Sequence, residues 1–161
     1  MLQIKNKIIL KLILLFSVFA VLAAYFIQYV LGHQPCNLCL IERIPYFFSI
    51  MVISICLFIK KFEKKVLITL SLTYFIAALL SFYHVGIEHG FIKESLVCDL
   101  NSLNYEISKE AILSQLKEIP ISCKDVTFKI LGLSLATFNV FISLILGAIT
   151  IKLFLTYEKN K

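Results

Sequence analysis

Apolar residues in this chain come in four long runs, Leu12–Leu31, Leu40–Ile59, Val66–Ile87 and Ile130–Leu155, separated by polar or charged stretches. A helix needs about 20 residues to cross roughly 30 Å of hydrocarbon. Each run comes close to that length, so the pattern predicts four membrane-spanning helices. The order is basic tail, span, short loop, span, basic turn, span, long loop, span, tail. The expected fold is an all-α, four-transmembrane-helix bundle forming a single domain over residues 1–161. Local breakers refine the edges. Gly32 stops the first helix, and Pro35 biases Gln34 toward an extended conformation. The next helix is expected to begin near Cys39, with Pro45 in or near its first turn, where proline is tolerated. In the long loop, Ser108 can cap a short amphipathic helix across Lys109–Ile119 with Ile112, Leu116 and Ile119 on one face. That stripe suits the lipid interface or packing on the bundle.

Composition agrees with the pattern. Sixty per cent of the 161 residues are hydrophobic and 16% charged, against about 45–50% and 25% in soluble domains. Mean hydropathy is +0.91, so no soluble core needs to be invoked. The net charge of +6 raises nucleic acid as a partner, but its distribution points to a membrane. Lys5, Lys7 and Lys11 precede the first span, Lys60, Lys61, Lys64 and Lys65 fill the second link, and Lys152, Lys159 and Lys161 lie at the C-terminus. These places share one side of a four-helix serpentine, which the positive-inside rule assigns to the cytoplasm. Around the link between the first two spans the only Lys or Arg is Arg43, and the lysines of Gly90–Lys129 are balanced by acids. Both termini are expected inside, both other loops outside, and no nucleic acid as partner. The first run is too long for the roughly 7–15-residue core of a cleaved signal peptide, so it is expected to remain as a span.

Five cysteines change the picture. Cys36 and Cys39 fall in the first outer loop, Cys98 and Cys123 in the second, and Cys56 inside a span. Disulfides persist outside the cytoplasm, so charge placement and cysteine placement agree. A bridge in the long loop would be a staple worth roughly 3–4 kcal/mol on the chain-entropy model. Cys36-Asn37-Leu38-Cys39 resists that explanation, because a bridge across two residues constrains almost no chain; such pairs mainly do redox chemistry or bind metal. A four-cysteine zinc site remains open, as does a stapled membrane scaffold, although an oxidising compartment disfavours free thiolates and no metal is expected. A helix starting near Cys39 would put that thiol at the positive end of its dipole. Arg43 follows four residues later on the same face. An ionisable residue at the membrane edge is a functional candidate, and with Cys39 it makes an anion site. Cys56 reads as a small buried apolar residue, Glu42 as a helix-dipole partner, and Asn139 as a bond to a neighbouring helix.

Cys36-Asn37-Leu38-Cys39-Leu40-Ile41-Glu42-Arg43 resembles the Cys-x-x-Cys-x-x-x-Arg signature of the disulfide bond formation protein B (DsbB) family. The resemblance extends through Tyr83-His84-Val85-Gly86-Ile87-Glu88, the pair Cys98 and Cys123, and Phe128–Ser134 at the last span. It implies a thiol:quinone oxidoreductase in the bacterial inner membrane. Such an enzyme reoxidises a periplasmic thioredoxin-like oxidant of the DsbA type and passes electrons to the membrane quinone pool, ubiquinone or menaquinone. By position, Cys98 would take the partner's thiolate, Cys123 would exchange with Cys36, and Cys39 would meet the quinone. Arg43 would polarise a quinone oxygen, and His84 would stand close by, with His89 the alternative. His33 has no such match and reads as a loop residue.

Overall fold

Lysine is a good helix former, and the first helix does not wait for the apolar run. Helix α1 spans Ile4–Tyr29 and takes the N-terminal lysines into its first turns. The computed structural model describes residues 4–59, 63–93, 98, 122–124, 128–130 and 132–159. The expected loop helix over Lys109–Ile119 lies outside the described residues. Gly32 ends α1 as expected: its φ of 74° is left-handed, and the following His33 N–H reaches back to the Ile27 carbonyl at 3.2 Å.

The second span differs from expectation at its start. Helix α2 covers Asn37–Ile41, with Cys36 rather than a residue near Cys39 at its N-cap. Cys36 Sγ accepts from the Cys39 backbone N–H at 3.4 Å, so a sulfur fills the role usually taken by Ser or Asp. Helix α3 covers Ile44–Ile59, and the chain turns at Glu42–Arg43 between them. Pro45 accounts for the break: it lacks the N–H that would bond the Ile41 carbonyl, and its ring would collide with that oxygen. The interruption tightens locally, with Arg43 N–H on the Leu40 carbonyl at 3.2 Å and Tyr46 N–H on the Arg43 carbonyl at 3.1 Å.

Helix α4 spans Glu63–Glu88. The last helix starts later than the apolar run suggests. Residues Lys129–Ile130 (β1) and Leu133–Ser134 (β2) pair antiparallel in a two-strand hairpin, Lys129 opposite Ser134 and Ile130 opposite Leu133. Gly132, at φ 83°, supplies the turn conformation that an L side chain rarely adopts. Helix α5 then runs Leu135–Lys159, and Ser134 Oγ caps it by accepting from Thr137 N–H at 3.2 Å.

Among the described residues, four helical stretches are long and apolar enough to cross a membrane: Lys7–Tyr29, Asn37–Ile59, Lys64–Glu88 and Leu135–Tyr157. They form a bundle in which α4 lies along α5, α1 on α3, and α3 on α4. Leu10, Ile13, Ile53, Leu67, Leu70, Tyr74 and Leu146 make one buried cluster. Cys36, Leu38, Ile87, Cys98 and Cys123 make a second, away from the lysine-rich ends. Phe19, Phe58 and Phe82 stand 66%, 87% and 67% exposed, which in span-length helices is a lipid-facing surface. Hydroxyls inside the spans can bond the carbonyl one turn back, as hydrocarbon favours: Ser49 Oγ bonds the Pro45 carbonyl at 2.8 Å, and Thr150 Oγ1 the Leu146 carbonyl at 2.9 Å.

Candidate active site

The second cluster is built by three backbone features. The N-cap of α2 fixes Cys36 and Cys39 one turn apart, the Pro45 break turns Glu42 inward, and the last turns of α4 carry His84 and Glu88. Cys36 and Cys39 are unbridged, with their sulfurs 3.0 Å apart. Cys98 and Cys123 form a disulfide across 25 positions, with Cα atoms 5.8 Å apart. This bridge packs against Cys36, Leu38 and Ile87. It also pairs two of the cysteines with each other, so a zinc site of four thiolates is not formed. The Asn37 amide donates to the Cys98 carbonyl at 3.4 Å, tying the two outer segments together.

His84 is 2% exposed. Its Nε2 lies 3.6 Å from Cys36 Sγ and its Nδ1 2.8 Å from Glu42 Oε1. Glu42 Oε2 accepts from the Asn139 amide at 3.0 Å, and the same amide donates to Ser81 Oγ at 2.7 Å. Tyr46 donates its hydroxyl proton to Asn139 Oδ1. Glu42 is therefore the bridge of a buried polar chain from Cys36 to α5, rather than the dipole partner expected from its place in the sequence. Its two oxygens both accept, so His84 Nδ1 carries a hydrogen and Nε2 is turned toward Cys36. Asn139 bonds neighbouring helices as expected. His89, the alternative histidine, is exposed, with its ring stacked on Phe91.

Cys36 lies just outside the spans, and its thiol is pushed down to about 4. The hydrogen bond shared with the Cys39 thiol is the largest cause; His84 and the Cys39 backbone N–H add to it, against the opposing effect of burial. A sulfur at a helix start that accepts a backbone N–H, beside a second thiol and an imidazole, is favoured as thiolate. From the sequence alone the activated thiol is expected at Cys39; the cap geometry favours Cys36.

Arg43 is half-buried. Its Nη1 donates to Gln28 Oε1 at 2.7 Å, and its guanidinium carbon stands 5.1 Å from the centre of the Tyr25 ring. Arg43, Cys36, Cys39, His84 and Cys123 line one cavity of about 370 Å³, whose walls include Phe16, Phe19, Ile27, Phe128, Phe138 and Ile142. Cys98 is reached through its bridge to Cys123. His33 also lines the cavity and packs on Phe128 at 5.0 Å. Gln28, Tyr46, Ser81 and Glu88 were not singled out by the sequence. Glu88 carried a signal all the same, as an acid at the end of an apolar span.

The family model for disulfide bond formation protein DsbB matches residues 6–153. The chain belongs to the DsbB family. It is also 30% identical over 162 residues to RP370, an uncharacterized protein of Rickettsia prowazekii (strain Madrid E), covering 97% of this chain and 91% of the relative. No solved structure matches the chain. Membership in the DsbB family, together with four span-length apolar helices, makes this a multi-pass membrane oxidoreductase of disulfide bond formation.

Proposed function

We propose that this DsbB-family protein is a thiol:quinone oxidoreductase that reoxidises a DsbA-type partner. The observation that carries the reading is the packing of a bridged cysteine pair, Cys98–Cys123, against an unbridged pair, Cys36 and Cys39, at the polar end of an apolar cavity. The positive-inside distribution of lysines supports cytoplasmic termini and periplasmic cysteine loops, hence the bacterial inner membrane.

Exchange proceeds by thiolate attack on a disulfide sulfur. A thiolate of the reduced partner attacks Cys98, and Cys123 leaves as thiolate. The partner's second thiol then attacks the mixed disulfide, so the partner leaves oxidised and Cys98 and Cys123 are both thiols. Cys123 next attacks Cys36 in a Cys36–Cys39 bridge, expelling Cys39, and Cys98 displaces Cys36 to restore Cys98–Cys123. Two electrons now reside on Cys36 and Cys39. His84 Nε2 is positioned to take the Cys36 proton, while Glu42 holds the ring through Nδ1.

The cavity fits a quinone head group. About 370 Å³ with largely apolar walls is within the usual range of roughly 300–1,000 Å³ for small-molecule sites. Arg43 would face a ring oxygen and Cys39 the ring itself, with the aromatic walls excluding water. When bound, a quinone supplies a two-electron, two-proton acceptor. Such an acceptor is needed because DsbA-type oxidants sit near about −120 mV. The test is quinone reduction by the purified protein with a reduced thioredoxin-like donor. Turnover that requires Cys39 and Cys98 supports the proposal; turnover unchanged in Cys98→Ser would sink the assigned order.

A further inference from the structure

Cys36 Sγ, Cys39 Sγ and His84 Nε2 lie within 4.8 Å of one another, buried or half-buried. A second observation points into the same place. Glu88 lies one turn after His84 on α4, with Oε1 3.8 Å from His84 Nε2 and its side chain only 6% exposed. Its Oε2 is buried with no hydrogen-bond partner among the described residues, a costly state for a carboxylate oxygen. Glu88 lines the same cavity.

We propose that the dithiol form of this site binds one Zn²⁺ through Cys36, Cys39, His84 and Glu88, and that the bound ion blocks turnover. The spacing, Cys-x2-Cys followed by His-x3-Glu, has the form of zinc ligand pairs. So do the distances. Tetrahedral zinc with bonds of about 2.3 Å to sulfur and about 2.0–2.1 Å to nitrogen and oxygen sets its ligand atoms apart by about 3.7 Å (S–S), 3.6 Å (S–N) and 3.3 Å (N–O). The Cys36–Cys39, Cys36–His84 and His84–Glu88 separations here are 3.0, 3.6 and 3.8 Å; the Glu88 carboxylate stands outside the 4.8 Å cluster of the other three ligand atoms, and rotation of its side chain toward the sulfurs completes the set. Glu42 on Nδ1 completes the carboxylate–histidine arrangement that orients a metal-bound imidazole. A mixed sulfur, nitrogen and oxygen donor set in a tetrahedron selects Zn²⁺ over harder divalent ions. Binding changes no oxidation state: the Cys36–His84 pair and the Cys39 thiol each give up a proton, and both sulfurs bond the metal. Neither sulfur is then free to attack a disulfide or to form the Cys36–Cys39 bridge. The site depends only on the dithiol, whereas the block on turnover rests on the redox reading above.

The experiment is a Zn²⁺ titration of the detergent-purified full chain against a chromophoric chelator, with Cd²⁺ as a spectroscopic probe of thiolate ligation. It is run on the wild type with Cys36–Cys39 reduced and with it bridged, and on a Cys98→Ala, Cys123→Ala background that leaves no competing loop thiols. We expect one equivalent in the reduced chain, none in the bridged chain, at least about 100-fold weaker binding in Cys39→Ser and about 10-fold weaker in Glu88→Gln. Zn²⁺ should stop quinone reduction by the wild type, and chelator should restore it. No saturable binding to the reduced chain would overturn the site, as would binding that persists in the bridged form or in Cys39→Ser, or unaltered affinity in Glu88→Gln. A metal-free chain that binds Zn²⁺ but never reduces quinone would leave the site standing and remove the redox reading. Turnover without binding would do the reverse.

Discussion

Replacing Asn139 with leucine should be among the most damaging single changes in the spans, because this side chain joins α3, α4 and α5. Its amide donates to Glu42 Oε2 at 3.0 Å and Ser81 Oγ at 2.7 Å, and its carbonyl accepts from Tyr46 and, at 3.4 Å, from Ser143. A hydrogen bond to a charged group contributes about 1.5–3 kcal/mol. Interhelical bonds between neutral groups in membranes average only about 0.6 kcal/mol, so those with Ser81 and Tyr46 together contribute roughly 1; the Ser143 contact lies within α5. Extra burial of the leucine returns about 1 kcal/mol, leaving a net loss of about 2–3 kcal/mol. Reversible unfolding in mixed micelles measures it, and a double-mutant cycle with Ser81→Ala should show coupling of about 0.5–1 kcal/mol. Turnover should fall as well, since Glu42 loses one of the two bonds that hold it against His84. A loss below about 0.5 kcal/mol with no coupling would refute the assignment of Asn139 as the hub of the buried chain.

Three further outcomes are expected. Arg43→Ala should raise the apparent quinone KM about 10- to 100-fold, as loss of a charge-assisted bond predicts; Arg43→Lys should recover only part, since lysine cannot reproduce the planar contact with Tyr25 and Gln28. Cys36 has a folded-state pKa depressed to about 4 from an ordinary 9.0, so its thiolate persists above that value and is lost as pH falls through it. Mass-resolved alkylation of Cys36 should therefore keep its rate down to about pH 5–6, and His84→Gln should move the inflection upward. Pro45→Ala restores the N–H that can bond the Ile41 carbonyl and should let α2 run on into α3; thermal stability should hold or rise while turnover drops, because Glu42 and Arg43 are re-aimed.

Much of this was legible because hydrocarbon imposes a simple length rule and because Cys-x-x-Cys has little structural use. The four apolar runs located the spans. Their ends slipped where helix chemistry ignores polarity: α1 begins at Ile4 among lysines, and α5 begins at Leu135 because Gly132 folds the preceding apolar residues into a hairpin. The placement of Cys36 as cap could not be read from residue type, since cysteine is not a usual N-cap residue. Glu42 and Glu88 depend on how α4 and α5 pack beside the Pro45 break, a tertiary fact that no local pattern carries. His84 and His89 are five positions apart; the rotation of α4 turns the first inside, and the second follows the helix's last residue and is exposed.

The central claim, that the inner pair is the sole outlet for electrons collected by the outer pair, is tested most directly by counting equivalents in a single turnover. Fully reduced protein is mixed with excess quinone in the absence of donor, and reduced quinone and remaining thiols at positions 36, 39, 98 and 123 are quantified together. The account predicts two quinone equivalents per chain for the wild type, one for Cys98→Ala, Cys123→Ala, and none for Cys39→Ser. Oxidation of Cys98 and Cys123 by quinone in Cys39→Ser would contradict it.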